Sequence, residues 1–322
     1  MPRRKRTRLS YTPGKKLQAP SLRRNPAFLG LLAILAMLAL YYFRDDIFRN
    51  NINVSGEFAV HFIDVGQGSS ILIQSPGGEF MLIDTGMRSE FPKLSSYLDH
   101  FGVREFKYVV FTHPHMDHIG SADRIVREFD IGTLIMPDVA HDTTAFRNLV
   151  DAIEERGIGI TRAEPGNIYR FGEAEFIILA PLDQGYANIN NYSVVILMQY
   201  GRTRFMFTGD MERQSENELI DYVEEHNLNI TADVLKVAHH GSRTSSQRSF
   251  LELIRPSIAV IQVGADNSHN HPHPEVVERL ENIGADILRT DRHGDVIIIS
   301  DGRNLTVHTS RGNYTGRFAA AS

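Results

Sequence analysis

Residues 107–121 read KYVVFTHPHMDHIGS: an apolar, β-branched run ends at Thr112, and His113, His115, Asp117 and His118 follow within six positions. Imidazole and carboxylate groups resist burial without partners. A strand that ends here must therefore deliver them to a shared opening, which limits the chain to folds that aim strand ends at a cleft. In an extended His-Pro-His, alternate residues share a face, so His113 and His115 point the same way. A helix starting after them turns Asp117 and His118 to a neighbouring direction. One short loop can thus address two divalent cations about 3.5–4 Å apart, with two imidazoles toward one and a carboxylate plus an imidazole toward the other.

Composition narrows the ligands. There is no cysteine among the 322 residues, which excludes disulfides and thiolate metal sites and leaves His, Asp and Glu. An apolar content of 42% is enough for a real core. The net charge of −5 hides a division. Residues 1–43 carry nine basic side chains and no acid, whereas the remainder carries 25 basic against 39 acidic, a net charge of −14. Between Ala27 and Phe43 lie seventeen uncharged residues, close to the minimum for roughly 30 Å of hydrocarbon, and Tyr41 and Tyr42 close the run like interfacial anchors. The expected organisation is a basic cytoplasmic tail over 1–26, a transmembrane anchor or signal segment over 27–43 and a linker over 44–55. A globular domain over 56–310 and a polar tail over 311–322 follow. Positive charge before the apolar run places the globular part outside the cytoplasm, membrane-anchored, or secreted if the segment is cleaved.

After residue 56, short β-branched or aromatic runs alternate with helical patterns. FAVHFIDV, SILIQS, FMLIDT and KYVVFT read as strands, and EFIILA, SVVILMQY, RFMFTGD, ADVLKVA, IAVIQV and DVIIIS form a second group. Helices are expected over 91–101, 117–129, 144–156, 211–225, 246–254 and 274–283. Strands outnumber helices and open both halves, a pattern that suits two mixed sheets packed face to face with helices outside.

THPHMDHIG resembles the signature of the metallo-β-lactamase fold, an α+β hydrolase built as an αβ/βα four-layer sandwich. IDTG before it, and FTGD and VLKVAHHGS after it, match further family motifs in the right order. FIDVGQGSSILIQ, NNYSVVILMQYGRTRFMFTGD, VGADNSHNHPHPEVVERL and TDRHGDVIIISDG resemble the C-terminal extracellular domain of ComEC competence proteins, and its standalone anchored or secreted relatives. Two departures stand out. Ser69 replaces an Asp after GQG, and His115 stands where this branch often has Asp.

The resemblance implies two divalent ions, zinc or manganese, and assigns residues to them. His113, His115 and Asp210 would hold the first, and Asp117, His118 and Asp210 the second. The last ligand is offered by His239 or His240. His239 is preferred because it follows strand VLKV after a single residue. Asp84 would brace the histidine loop from behind. Asp117 and Asp210 would orient a nucleophilic water, and His240 would bind phosphate or protonate the leaving oxygen. His271, Asn191, Ser242 and Gln67 are the expected substrate contacts. The implied activity is an extracytoplasmic phosphodiesterase, foremost a nuclease on DNA. The alternatives are a phosphoesterase on a cell-wall or small phosphoester of the phosphorylcholine type, or a non-catalytic accessory module of a DNA-uptake channel. The acidic domain weighs against polyanion binding, which normally wants a basic stripe.

Overall fold

The computed structural model describes residues 29–37, 52–312 and 314–320. The chain divides into two compact units, Met1–Arg44 and Asp45–Ser322. Within the first, residues 29–37 are helical. Among the described residues no helix is long and apolar enough to cross a membrane. The expected anchor over 27–43 is therefore not supported by what is described. Residues 27–28 and 38–43, the tail over 1–26 and the linker up to residue 51 lie outside the described residues.

The second unit holds two mixed sheets. Across the first run β16 (Thr315–Ala319), β15 (Asn304–Thr309), β14 (Val296–Ser300), β1 (Phe58–Phe62), β2 (Ile71–Gln74), β3 (Phe80–Ile83), β4 (Glu105–Val110), β5 (Asp130–Met136) and β6 (Ile160–Arg162). The second is ordered β13 (Asp286–Arg289), β12 (Ile258–Ile261), β11 (Val234–Lys236), β10 (Thr203–Phe207), β9 (Val195–Tyr200), β8 (Ala174–Ala180) and β7 (Ile168–Phe171). The period-two alternation decides which face each residue covers. Phe58, Val60 and Phe62 of β1 meet Phe205 and Phe207 of β10 in one core between the sheets. Met206, between those two phenylalanines, faces the other way and packs with Leu219, Val223, Phe250 and Leu280 of the covering helices. The outer face of the first sheet, through Leu72, Leu82 and Val109, is covered by Leu94, Leu98, Ile125 and Leu149. The result is helix, sheet, sheet, helix. Each large apolar side chain buried this way contributes about 1.5–3 kcal/mol.

Two stretches of parallel pairing aim their strand ends. β3, β4, β5 and β6 run parallel, as do β10, β11, β12 and β13. Residues following β3, β4, β10, β11 and β12 thus leave from the carboxyl ends of parallel strands, where α/β sheets present their ligand crevices.

Two local features differ from expectation. The helix expected over 117–129 is two, Met116–Ile119 and Ala122–Glu128. Gly120 lies at the break, where a Cβ would fall 2.4 Å from the Met116 carbonyl and 2.6 Å from the Arg88 nitrogen, so the close approach of these segments requires glycine. Residues 315–319, expected as polar tail, add strand β16 to the sheet edge because Phe318 packs on the inter-sheet core.

Candidate metal centre

The centre is built on Asp84. Its backbone is left-handed at φ 58°, and its amide donates to the Val110 carbonyl at 2.9 Å, which locks the end of β3 to that of β4. The buried carboxylate accepts from the Thr112 amide at 2.8 Å, the Thr112 hydroxyl at 2.7 Å and His118 Nδ1 at 2.6 Å. The last bond places the His118 proton on Nδ1 and turns Nε2 inward. Nε2 is buried, lies 3.2 Å from Asp210 Oδ2 and 4.0 Å from Asp117 Oδ2, and has no hydrogen-bond partner.

Opposite, β10 is followed by Thr208-Gly209-Asp210. The Asp210 amide donates to the Ser193 hydroxyl at 2.9 Å, which fixes the turn. Gly209 has φ 52°, and a Cβ there would strike Ser193 at 2.7 Å, so only glycine fits. After β11 come His239 and His240, both left-handed at φ 49° and 52°. Each such residue costs on the order of 1 kcal/mol or more, and tertiary contacts must hold it. His240 Nδ1 is bound to the Gln262 carbonyl at 2.8 Å, and its Nε2 lies 3.0 Å from Asp117 Oδ2 and 3.4 Å from Asp210 Oδ2. His239 turns to the rim. Its Nδ1 meets Glu212 Oε1 at 3.2 Å, and its Nε2 is 4.0 Å from Asp210.

Asp117, His118, Asp210 and His240 therefore offer four ligand atoms within 4.8 Å of one another. The structure brings His240, and not the preferred His239, into this group. The left-handed turn splays the adjacent rings, and the Gln262 carbonyl selects His240 for the interior. His113 and His115 stand beside this group, hydrogen-bonded to each other at 3.0 Å, with the His113 ring 4.2 Å from that of His118.

The carboxylates favour positive charge at this point. Burial opposes a proton on His118, but Asp210, Asp84 and Asp117 outweigh it and raise its pKa to about 10. Burial likewise opposes charge on Asp210, yet His118, His240 and Lys236 hold its carboxyl well below the usual carboxylate range. His113 is driven neutral, chiefly by burial and then by His118. The orphaned His118 Nε2, facing two carboxylates and a second imidazole with no thiolate present, fits a divalent metal such as zinc or manganese.

Asp117, Asp210 and His240 line a cleft of about 610 Å³ whose walls include Gln67, Met87, Glu90, Met116, His239 and His271. Gln67 accepts from the Gly264 amide at 3.1 Å. His271 has its Nδ1 buried without a partner and, through burial and then the nearby His239, its pKa lowered to about 3. Two expected substrate contacts are placed elsewhere. Asn191 Oδ1 accepts from the Glu212 amide at 3.0 Å, so it secures the start of helix Arg213–His226. Ser242 is buried against the Thr244 hydroxyl at 2.9 Å, within its own turn. Neither lines the cleft.

Two residues carry no signal in the dense motifs. Glu212, two positions after Asp210, partners His239, and nothing in its local pattern distinguishes it. Lys236 is 1% exposed, and its Nζ donates to the Gly209 carbonyl at 2.8 Å and faces Asp210 Oδ1 at 3.4 Å. The signal that could have found it lies in VLKVA, a charge in the centre of an apolar strand.

A family model described as the metallo-beta-lactamase superfamily matches residues 63–264, the span that supplies Asp84, both metal-facing loops and Asp210. The chain belongs to this superfamily. Among curated members it is 30% identical to ComE operon protein 3 of Bacillus subtilis over 76% of this chain and 33% of that protein. It is 27% identical to competence protein ComA of Neisseria gonorrhoeae over 84% of this chain and 36% of that protein. The chain thus spans about a third of the length of these competence relatives. Among solved structures, CmlA, a diiron beta-hydroxylase from Streptomyces venezuelae, shares the fold with TM-score 0.52 and 13% identity, over 76% of this chain and 54% of CmlA.

Proposed function

We propose that this metallo-beta-lactamase-superfamily hydrolase is a phosphodiesterase that acts on DNA at the outer face of the cell membrane. The observation that carries the reading is the four-donor group beside an open cleft that His239 and His271 also line. The competence relatives support DNA as substrate, and the basic, apolar N-terminal sequence supports the membrane.

Asp117, His118, Asp210 and His240 would hold one divalent ion, and His113 and His115, with Asp210, a second. Bound cations supply Lewis acidity, which makes a water more acidic and offsets charge on phosphoryl oxygens. The chain's own groups do the rest. Asp117 and Asp210 accept hydrogen bonds from the attacking water and orient it. His239, its Nδ1 held by Glu212, directs Nε2 into the cleft to donate to the leaving oxygen. Glu212 stays ionised to support that donor: burial would raise its pKa, but His239 and Asn190 hold it down to about 2. His271 adds a neutral imidazole on the opposite wall.

One observation favours the second reading, a small or cell-wall phosphoester. The residues lining the cleft include Glu90 but neither Lys nor Arg. A substrate with one phosphate needs no basic track. The test uses the full chain with zinc or manganese and compares single- and double-stranded DNA with a choline-phosphate ester. Metal-dependent DNA cleavage, abolished by Asp210→Asn, supports the first reading. Cleavage of the ester alone supports the second, and no turnover of either with metal bound removes both.

A further inference from the structure

Lys236 is a buried charge that the chemistry above does not use. It ends β11, the strand between β10 and β12, with Val234 two residues earlier in the inter-sheet core and Leu235 turned to the helices. The alternation therefore sends the Lys236 side chain into the inter-sheet space. A hydrophobic residue would fit such a position at no desolvation cost, whereas an ammonium group in that place costs several kcal/mol unless well paired.

Its two partners are informative. Nζ donates to the Gly209 carbonyl at 2.8 Å, the same carbonyl that accepts from the His239 amide at 3.3 Å. It thereby ties the turn after β10 to the loop after β11. Nζ also faces Asp210 Oδ1 at 3.4 Å, while Asp210 Oδ2 faces His118 at 3.2 Å, His240 at 3.4 Å and His239 at 4.0 Å. The two carboxylate oxygens are thus used differently. One is held by the lysine, and the other is left for the donor group.

We propose that Lys236 is a positioning residue of the metal centre: it restrains Asp210 to a single oxygen facing the donor group, and its charge limits how tightly a divalent cation is retained. The proposal rests on the metal-binding reading of the site. A fixed positive charge beside a ligand repels any second cation nearby, and the repulsion is weakly screened in a buried site. Loss of the ammonium would free a carboxylate oxygen and remove a unit of positive charge from the centre. Tighter binding and poorer turnover would then occur together, because an oxygen that can swing no longer orients the attacking water.

The test measures manganese binding by calorimetry on metal-free full-length protein, for wild type, Lys236→Met and Lys236→Arg, with folding checked by circular dichroism. The expected result is that Lys236→Met binds at least tenfold more tightly than wild type, while its kcat on a generic phosphodiester at saturating manganese falls at least tenfold. Lys236→Arg, which keeps the charge, should retain the wild-type affinity. Equal or weaker binding by Lys236→Met overturns the proposal and leaves the metal reading intact. Absence of binding to wild type overturns both. Should Lys236→Met fail to fold, Lys236→Gln carries the same comparison, since it keeps a donor for Gly209 and removes the charge.

Discussion

The two loops that meet at the metal centre are made in opposite ways. The loop over 112–118 places its donors by local geometry. It is a short run after a strand, braced from behind by one carboxylate, Asp84, with which Thr112 and His118 both bond. The loop over 238–242 offers two adjacent histidines, and contacts from distant segments choose between them: the Gln262 carbonyl takes His240, and Glu212 takes His239. The first loop depends on one brace, Asp84, at the end of the neighbouring strand. The second has meaning only where β12 and the turn after β10 lie beside it. Donor spacing is therefore informative only where the backbone between donors is regular.

Experiments can break or sharpen this contrast. Asp210 serves both loops, so Asp210→Asn should lower turnover by about 10⁴-fold, about 5.5 kcal/mol, and remove metal from the purified protein as read by elemental analysis. Residual metal near the wild-type amount would show that the loops bind independently.

The second loop should also be the one whose support depends on pH. Glu216, on helix Arg213–His226, accepts from the Ser246 and Gln247 amides just beyond this loop. Burial raises its pKa to about 7, against the opposing pull of those amides. Its folded pKa lies above its unfolded value, so its contribution is complete below about pH 4.5 and is lost as the pH rises through 7. Wild type should lose on the order of 3 kcal/mol across that window relative to Glu216→Gln in urea unfolding. Parallel curves for the two proteins would remove Glu216 from the account.

Separating the paired histidines tests the choice itself. His240→Ala should weaken metal binding by about 10²-fold, whereas His239→Ala should keep the metal and lower kcat by about 10²-fold. The reverse outcome would restore the assignment expected from strand spacing. On the first loop, Asp84→Asn should cost about 10–100-fold in metal affinity, since it removes the acceptor that orients His118. The smallest effect belongs to Asn191→Ala. Loss of its bond to the Glu212 amide should destabilise the fold by about 1 kcal/mol with metal content unchanged. A large loss of metal would return Asn191 to the site.

Legibility followed the same division. The strands of both sheets were readable where alternation was strong, as in β1 and β10, and the four-layer order followed from apolar runs on both sides. β5, β6, β7, β13, β15 and β16 were not; of these, β6, β7, β13 and β16 are edge strands, and apolar residues such as Ile160 and Ile168 remain exposed. The close packing at Gly120 was hidden because it involves backbone atoms of residues 86 and 88. Among site residues, His113, His115, Asp117, His118, Asp210 and Asp84 lie in dense or strand-terminal motifs. Asn191 and Ser242 sit in similar motifs, yet their polar atoms are committed to backbone and neighbouring side chains.

Residue order alone determined the chemistry on offer: imidazoles and carboxylates without thiols, carried at strand ends, on an acidic domain that follows a basic, apolar N-terminal stretch. Tertiary structure decided which of two neighbouring histidines enters the centre, which oxygen of Asp210 is left open, and that a lysine is buried beneath it. The reason is physical. Side-chain type and strand period are local properties, whereas the direction of a left-handed turn and the partner of a buried charge depend on segments dozens of residues away.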